Sequence, residues 1–381
     1  MRKKILALSV LILAAACIIY AVAIPSLPRK GPDLEQFFES MKDPDIELLL
    51  SDMTLEEKVG QMFMGCFYNG TPSPDLISEY HLGSLLLFGE SFSETTPETL
   101  KSQLEDIKAA SEIPPVVAVD EEGGSVTRIS SSKSFRNERF ESPRRLYEKG
   151  GLDAVIADTH EKNALLSSLG IHMNLAPICD ISQDPDDFMY SRSLGRDAET
   201  TAGYIAAVTE ACLEDGTACV LKHFPGYGSS ADTHKGLAID KRSLSTITDN
   251  DLLPFEAGIR AGAPAVLISH NIVTAIDDRL PSSLSPACHR LLMQKLRFDG
   301  VIITDDLSMG AISNYLPAEK SAVAAVAAGN DILCTGSYKK QYKAVLDAVS
   351  SGIITEDRID RSVRKILKLK IDLGLIDPSE E

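Results

Sequence analysis

The chain has 381 residues, 44% hydrophobic and 24% charged, with no tryptophan and a formal net charge of −17. This is globular composition, and the length allows one large α/β barrel or two average domains. The acidity argues against a nucleic-acid partner, because phosphate binding calls for a concentrated basic surface; solubility is the plain reading of the charge.

The first element is an export segment. Arg2, Lys3 and Lys4 precede an apolar stretch over residues 5–24, followed by Pro25 and a polar run over 28–33. Basic residues ahead of an apolar segment mark a signal whose basic end stays inside. The stretch is long enough to span a bilayer as an uncleaved anchor, while Ala21-Val22-Ala23 fits a signal-peptidase site. Residues 13–17 (LAAAC) resemble a lipoprotein box, although the apolar Ile18-Ile19-Tyr20 after Cys17 suits that poorly. Residues 1–30 are therefore expected to contact the membrane as signal peptide or signal anchor with a short linker. The body, 31–381, is expected outside the cytoplasm, secreted or anchored. Its six cysteines could pair there, but Cys66, Cys179, Cys219 and Cys334 lie in or beside apolar runs, where cysteine acts as a small hydrophobe. No CxxC pair is present, so no structural zinc is expected.

Beyond the linker, short apolar runs alternate with longer amphipathic stretches. The runs fall at 61–67, 83–88, 115–119, 171–175, 219–223, 265–269, 300–304 and 331–335. Helical patterns occupy 97–111, 152–169, 200–215, 249–262, 285–296 and 318–328, and two more, 339–350 and 356–373, close the chain. Ser-Pro-Ala at 285–287 and Leu-Pro-Ala at 316–318 look like helix starts, with proline in the first turn. Eight apolar strands separated by helices read as a parallel α/β fold, and eight is the number that closes into a (β/α)8 TIM-type barrel. A doubly wound open sheet is the alternative, but no GxGxxG turn follows the first strand. With no repeat or later linker, one catalytic barrel domain over 31–381 is predicted.

The chemistry gathers at the strand ends. Residues 221–234, LKHFPGYGSSADTH, leave an apolar run through a Lys-His pair, break into glycines and reach an Asp-x-His pair. That is the pattern of a buried strand delivering polar groups to a loop, where parallel α/β folds keep their sites. The third strand ends in Asp120-Glu121-Glu122-Gly123-Gly124 and the fourth near Asn174 and Asp180. The fifth ends in Lys222-His223, the sixth in His270-Asn271 and the seventh in Asp305-Asp306. For one such residue a helix N-cap is an equal explanation, but capping does not account for a lysine and two histidines among them.

These residues carry a resemblance. The chain resembles a family 3 glycoside hydrolase of the β-N-acetylglucosaminidase branch in the run 53–61 (MTLEEKVGQ), in 120–128 (DEEGGSVTR), in 174–177 (NLAP), in 191–195 (SRSLG), in 221–234, in 268–270 (ISH) and in 303–309 (ITDDLSM). The KHFPG…DTH segment is the most specific, because it separates this branch from the family's β-glucosidases. The resemblance implies that Asp305 is the nucleophile of a retaining exo-enzyme acting on terminal β-linked N-acetylglucosamine. It implies that His234 is the general acid/base, with Asp232 orienting or charging its imidazole, and that Asp120, Arg192, Lys222 and His223 bind the sugar hydroxyls. Arg128 and His270 are expected near the same pocket, and Asp306 as a cap of the following helix. A histidine in place of the usual second carboxylate can still serve as acid and base around neutral pH. Two positions depart from the family pattern: Ser125 stands where arginine is common, and Tyr227 replaces the second histidine of HFPGHG.

The partner expected is a carbohydrate, peptidoglycan fragments first and chitin-type oligosaccharides second; no metal or organic cofactor is implied, and a monomer is expected. Three rivals differ in class. His223, Asp232, His234 and His270 could form an imidazole-rich metal site, though no HExxH spacing supports one. The same scaffold could use phosphate instead of water, since a histidine does not repel a phosphate dianion. A non-catalytic sugar-binding barrel would have no need of Asp305, Asp232 and His234 together.

Overall fold

The computed structural model describes residues 43–228, 233 and 236–377. The expected export segment, and Asp232 and His234, lie outside the described residues. Among the described residues no helix is long and apolar enough to cross a membrane.

Among the described residues ten strands follow in chain order: β1 Phe63–Phe67, β2 Ser84–Leu87, β3 Val116–Val119, β4 Met173–Asn174, β5 Ala218–Phe224, β6 Ile239–Asp240, β7 Ala265–Ile268, β8 Ile272–Val273, β9 Val301–Thr304 and β10 Leu333–Thr335. Eight form one parallel sheet in the order β10-β1-β2-β3-β4-β5-β7-β9. Its ends meet where Ile303 bridges Ile332 and the Asp331 and Ile332 N–H groups donate to the Ile302 carbonyl at 2.8 and 3.0 Å. The result is a nearly closed TIM-type barrel, with all eight sequence-predicted strands in it. Their residues are buried almost without interruption, as expected of parallel strands covered on both faces. The separate pair β6–β8 was not anticipated; it sits beside the barrel and takes the chain back from the loop after β5.

Local sequence explains where the helices begin. Thr54 and Glu57 form a reciprocal capping box for Leu55–Gln61. Thr96, Ser142 and Ser285 cap helices whose next residue is proline, the arrangement of Pro97–Ala110, Pro143–Ser168 and Pro286–Arg290. The second of these starts nine residues before the predicted 152, because non-helical Gly150 and Gly151 interrupt the apolar pattern and hide the first segment. The predicted 285–296 helix relaxes into a π-turn at Leu291–Lys295.

The core is built from two large apolar clusters, one centred on β1 to β4 and β10 and the other on β5, β7 and β9. All six cysteines of the body are free and buried, as small hydrophobes should be.

Candidate active site

The C-terminal ends of β3 and β5 meet in a buried network of charges. Lys222 Nζ lies 2.6 Å from Asp120 Oδ1 and 2.7 Å from Glu122 Oε1. Glu122 in turn takes a two-point bond from Arg192, Nε and NH2 donating at 2.9 and 2.6 Å. Arg192 NH2 also donates to His223 Nε2 at 3.3 Å, and His223 Nδ1 meets Asp180 Oδ2 at 2.7 Å. A guanidinium only donates, so Nε2 must accept and the ring proton sits on Nδ1. Burial pushes the Glu122 carboxyl up, but the Arg192 and Lys222 charges outweigh it and hold it well below the usual carboxylate range. Burial likewise works against charge on Lys222, and the Asp120 and Glu122 carboxylates reverse it, raising the amine.

Local geometry brings these groups together. In a regular strand Lys222 and His223 would face opposite sides, yet both join one network. The pairing of β5 with β7 shifts register between Leu221 and Phe224. At the end of β3 the chain doubles back at Gly123, whose φ of +96° and approach to the Glu141 carbonyl leave no room for a Cβ. Three adjacent acids thus split between two jobs. Asp120 and Glu122 face the network. Glu121 turns inward and accepts the N–H groups of Arg128 and Ile129 at 2.7 and 2.8 Å.

A second wall rises from β1, β2 and β9. Tyr68 donates its hydroxyl to Asp306 Oδ2 and packs on Phe88 with ring centroids 4.5 Å apart. The Arg128 guanidinium covers Phe88 at 5.5 Å and reaches Asp120 Oδ2 at 3.9 Å. Asp306 also accepts the Ser308 N–H at 2.8 Å and its carbonyl takes His270 Nε2 at 3.0 Å, while His270 Nδ1 meets the Ser283 hydroxyl at 2.8 Å. Asp306 is therefore a structural residue, but of the turn: the short helix Gly310–Ser313 has no side-chain cap. Asp305 precedes it, with Oδ1 accepting the Asp306 N–H at 2.9 Å. Its charge, after burial, helps push the Tyr227 phenol up, and Tyr227 packs edge-on against His223, centroids 5.3 Å apart.

Of the residues predicted for the site, Asp120, Arg192, Lys222 and His223 form one hydrogen-bonded cluster with Arg128 at its edge. Asp305 and His270 belong to the neighbouring turn, and Asp232 and His234 lie outside the described residues. Arg192 does not pair with Asp186 or Asp187, the surface alternative. Sequence reasoning placed Glu122 and Asp180 among the polar groups at strand ends without giving either a role, and it missed Tyr68 and Phe88. The one signal for Glu122 was its place beside Asp120 at the end of the third strand. A cavity of about 300 Å³ at the opposite end of the barrel touches Arg361, Arg364, Lys365 and Lys368, but these already pair with Asp357, Glu47, Asp331 and Asp372.

Known proteins resemble this chain along most of its length. The model of the glycosyl hydrolase family 3 N-terminal domain matches residues 54–369. A curated relative, beta-hexosaminidase LpqI of Mycobacterium tuberculosis, is 29% identical over 327 residues, 82% of each chain. Among solved structures, a family 3 beta-N-acetylglucosaminidase from Paenibacillus sp. str. FPU-7 superposes with a TM-score of 0.79 at 31% identity, covering 85% of this chain and 63% of that one. The M. tuberculosis LpqI structure gives 0.78 at 27%, covering 86% and 96%.

Proposed function

The chain belongs to glycosyl hydrolase family 3, and from that membership we propose a retaining exo-β-N-acetylglucosaminidase that removes terminal β-linked N-acetylglucosamine. The observation that carries the reading is Lys222 bridging Asp120 and Glu122 at the barrel mouth, in a network extended by Arg192, His223 and Asp180. Charged donors and acceptors held rigid by one another suit a ligand rich in hydroxyl groups. The relatives named as hexosaminidases support the choice of sugar.

In the proposed mechanism Asp305 attacks the anomeric carbon. The glycosidic bond breaks as His234, oriented or charged by Asp232, gives its proton to the leaving oxygen. A water then attacks the glycosyl ester, His234 takes its proton, and Asp305 leaves as carboxylate. Asp306, held by Tyr68, Ser308 and His270, fixes the turn that presents Asp305; His270 has both ring nitrogens engaged there, which suits positioning better than sugar contact. Arg128 over Phe88, beside Tyr68, would form the wall toward the aglycone. The basic, then apolar N-terminus supports an extracytoplasmic address, and with it peptidoglycan fragments as substrate ahead of chitin-type oligosaccharides.

The test is to incubate the protein with aryl β-N-acetylglucosaminide and aryl β-glucoside, each with and without phosphate. Release of free N-acetylglucosamine from the first substrate alone is expected. A sugar 1-phosphate would show phosphorolysis instead, and no turnover of either would leave a binding protein.

A further inference from the structure

We infer that the Tyr227 hydroxyl is a positioning group for the acid/base segment, acting through Thr233. The inference rests on the reading of Asp232 and His234 given above, since these are the covalent neighbours of Thr233.

Tyr227 is itself immobilised. It is fully buried, its ring packs against His223 and Phe188, and its backbone N–H donates at 2.7 Å to Asp180 Oδ1. The other oxygen of Asp180 holds His223. One carboxylate therefore ties the tyrosine to the sugar-binding network. The phenol bonds the Thr233 hydroxyl, and burial together with the Asp305 charge keeps it protonated, so it retains a hydrogen to share.

Thr233 has a second anchor. Its carbonyl accepts the Ala311 N–H at 3.1 Å, in the first turn of a helix that lacks a side-chain cap. That helix follows the Asp305–Asp306 turn. Thr233, completely buried, thus links the end of β5 to the segment carrying the nucleophile. The flanks are fixed separately. Gly228 has φ +54° and lies so close to the Arg242 guanidinium that a Cβ would collide with it, and Arg242 pairs with Asp240 and Asp251. The chain then returns through β6 against β8. Between these ends the Tyr227 and Ala311 bonds set where Thr233 sits. A phenylalanine would fill the same space without the bond.

The experiment measures kcat/KM on a series of β-N-acetylglucosaminides of graded leaving-group ability. Tyr227→Phe should lose about tenfold or more on poor leaving groups, which need the proton, and less than about threefold on activated aryl glycosides. Thr233→Val should reproduce the profile, and the double variant should be no worse than either single one, because both remove the same bond. A uniform loss across the series, a wild-type profile or additive losses would overturn the positioning role. His234→Ala separates the two claims. If it is steep while Tyr227→Phe is flat, only the positioning role falls; if His234→Ala is itself flat, the acid assignment falls and takes the inference with it.

Discussion

Glu122 and Arg192 form a buried two-point ion pair at the barrel mouth, both carboxylate oxygens accepting from one guanidinium at 2.6 and 2.9 Å. Glu122 thereby holds Arg192, which meets His223, and shares Lys222 with Asp120, all four of them residues expected to touch sugar. Glu122→Gln keeps the shape and removes the charge, leaving two buried cations with one fewer counter-charge. Breaking such a pair typically costs about 3–5 kcal/mol. Denaturant unfolding should show that loss near neutral pH, and KM should rise more than kcat falls.

The same residue gives a pH signature. Because Glu122 is held below its usual range in the folded state, its stabilisation is complete above the unfolded value of about 4.3 and is lost as pH falls below it. The wild-type advantage over Glu122→Gln, read from unfolding midpoints between pH 7 and pH 3, should therefore shrink with acid. A constant difference across that range would contradict the assignment.

Lys370 predicts a trend in the alkaline direction. It is fully buried in the helix Glu356–Asp372, donates to Gln61 Oε1 at 2.6 Å, and burial pushes its amine down to about 7. Between that value and the ordinary one of about 10.4 the unfolded chain binds the proton and the folded chain does not, so stability rises with pH; below 7 both bind it and the cost is complete. Lys370→Met should gain on the order of 4 kcal/mol relative to wild type on going from pH 10 to pH 7, offset by a pH-independent loss from the unpaired Gln61 oxygen. Chemical denaturation of both proteins at the two pH values checks it.

Tyr68 and Asp306 concern the nucleophile's placement. Tyr68→Phe removes one of the contacts that fix the turn, and Asp306→Ala removes that one and the Ser308 bond together. A small displacement of a reacting group can cost up to about a hundredfold. Steady-state kinetics should show kcat falling in the order wild type, Tyr68→Phe, Asp306→Ala, with thermal midpoints changing far less than for Glu122→Gln.

The fold was legible because strands buried on both faces are written as apolar runs, and each run lies within a few residues of an observed strand. β4 is only Met173–Asn174, the shortest strand of the barrel. β6 and β8, two residues each, leave no periodicity to read. At the site, residue type was enough to point at Asp120, Lys222, His223 and Asp305, which end strands as polar groups. It could not separate Glu122 from Glu121 beside it, because their roles depend on which way the Gly123 turn folds. The roles of Asp180 and Tyr68 stayed unread for a related reason: their partners, His223 and Asp306, are far away in sequence.

The most direct test of the account is to trap the glycosyl-enzyme. The protein is incubated with a fluorinated N-acetylglucosaminyl donor whose second step is slow, then digested and mapped by mass spectrometry. The account predicts one sugar on the peptide spanning residues 298–320, attached at Asp305, and no label in Asp305→Asn. Attachment to any other residue, or Asp305→Asn retaining substantial turnover, would contradict it.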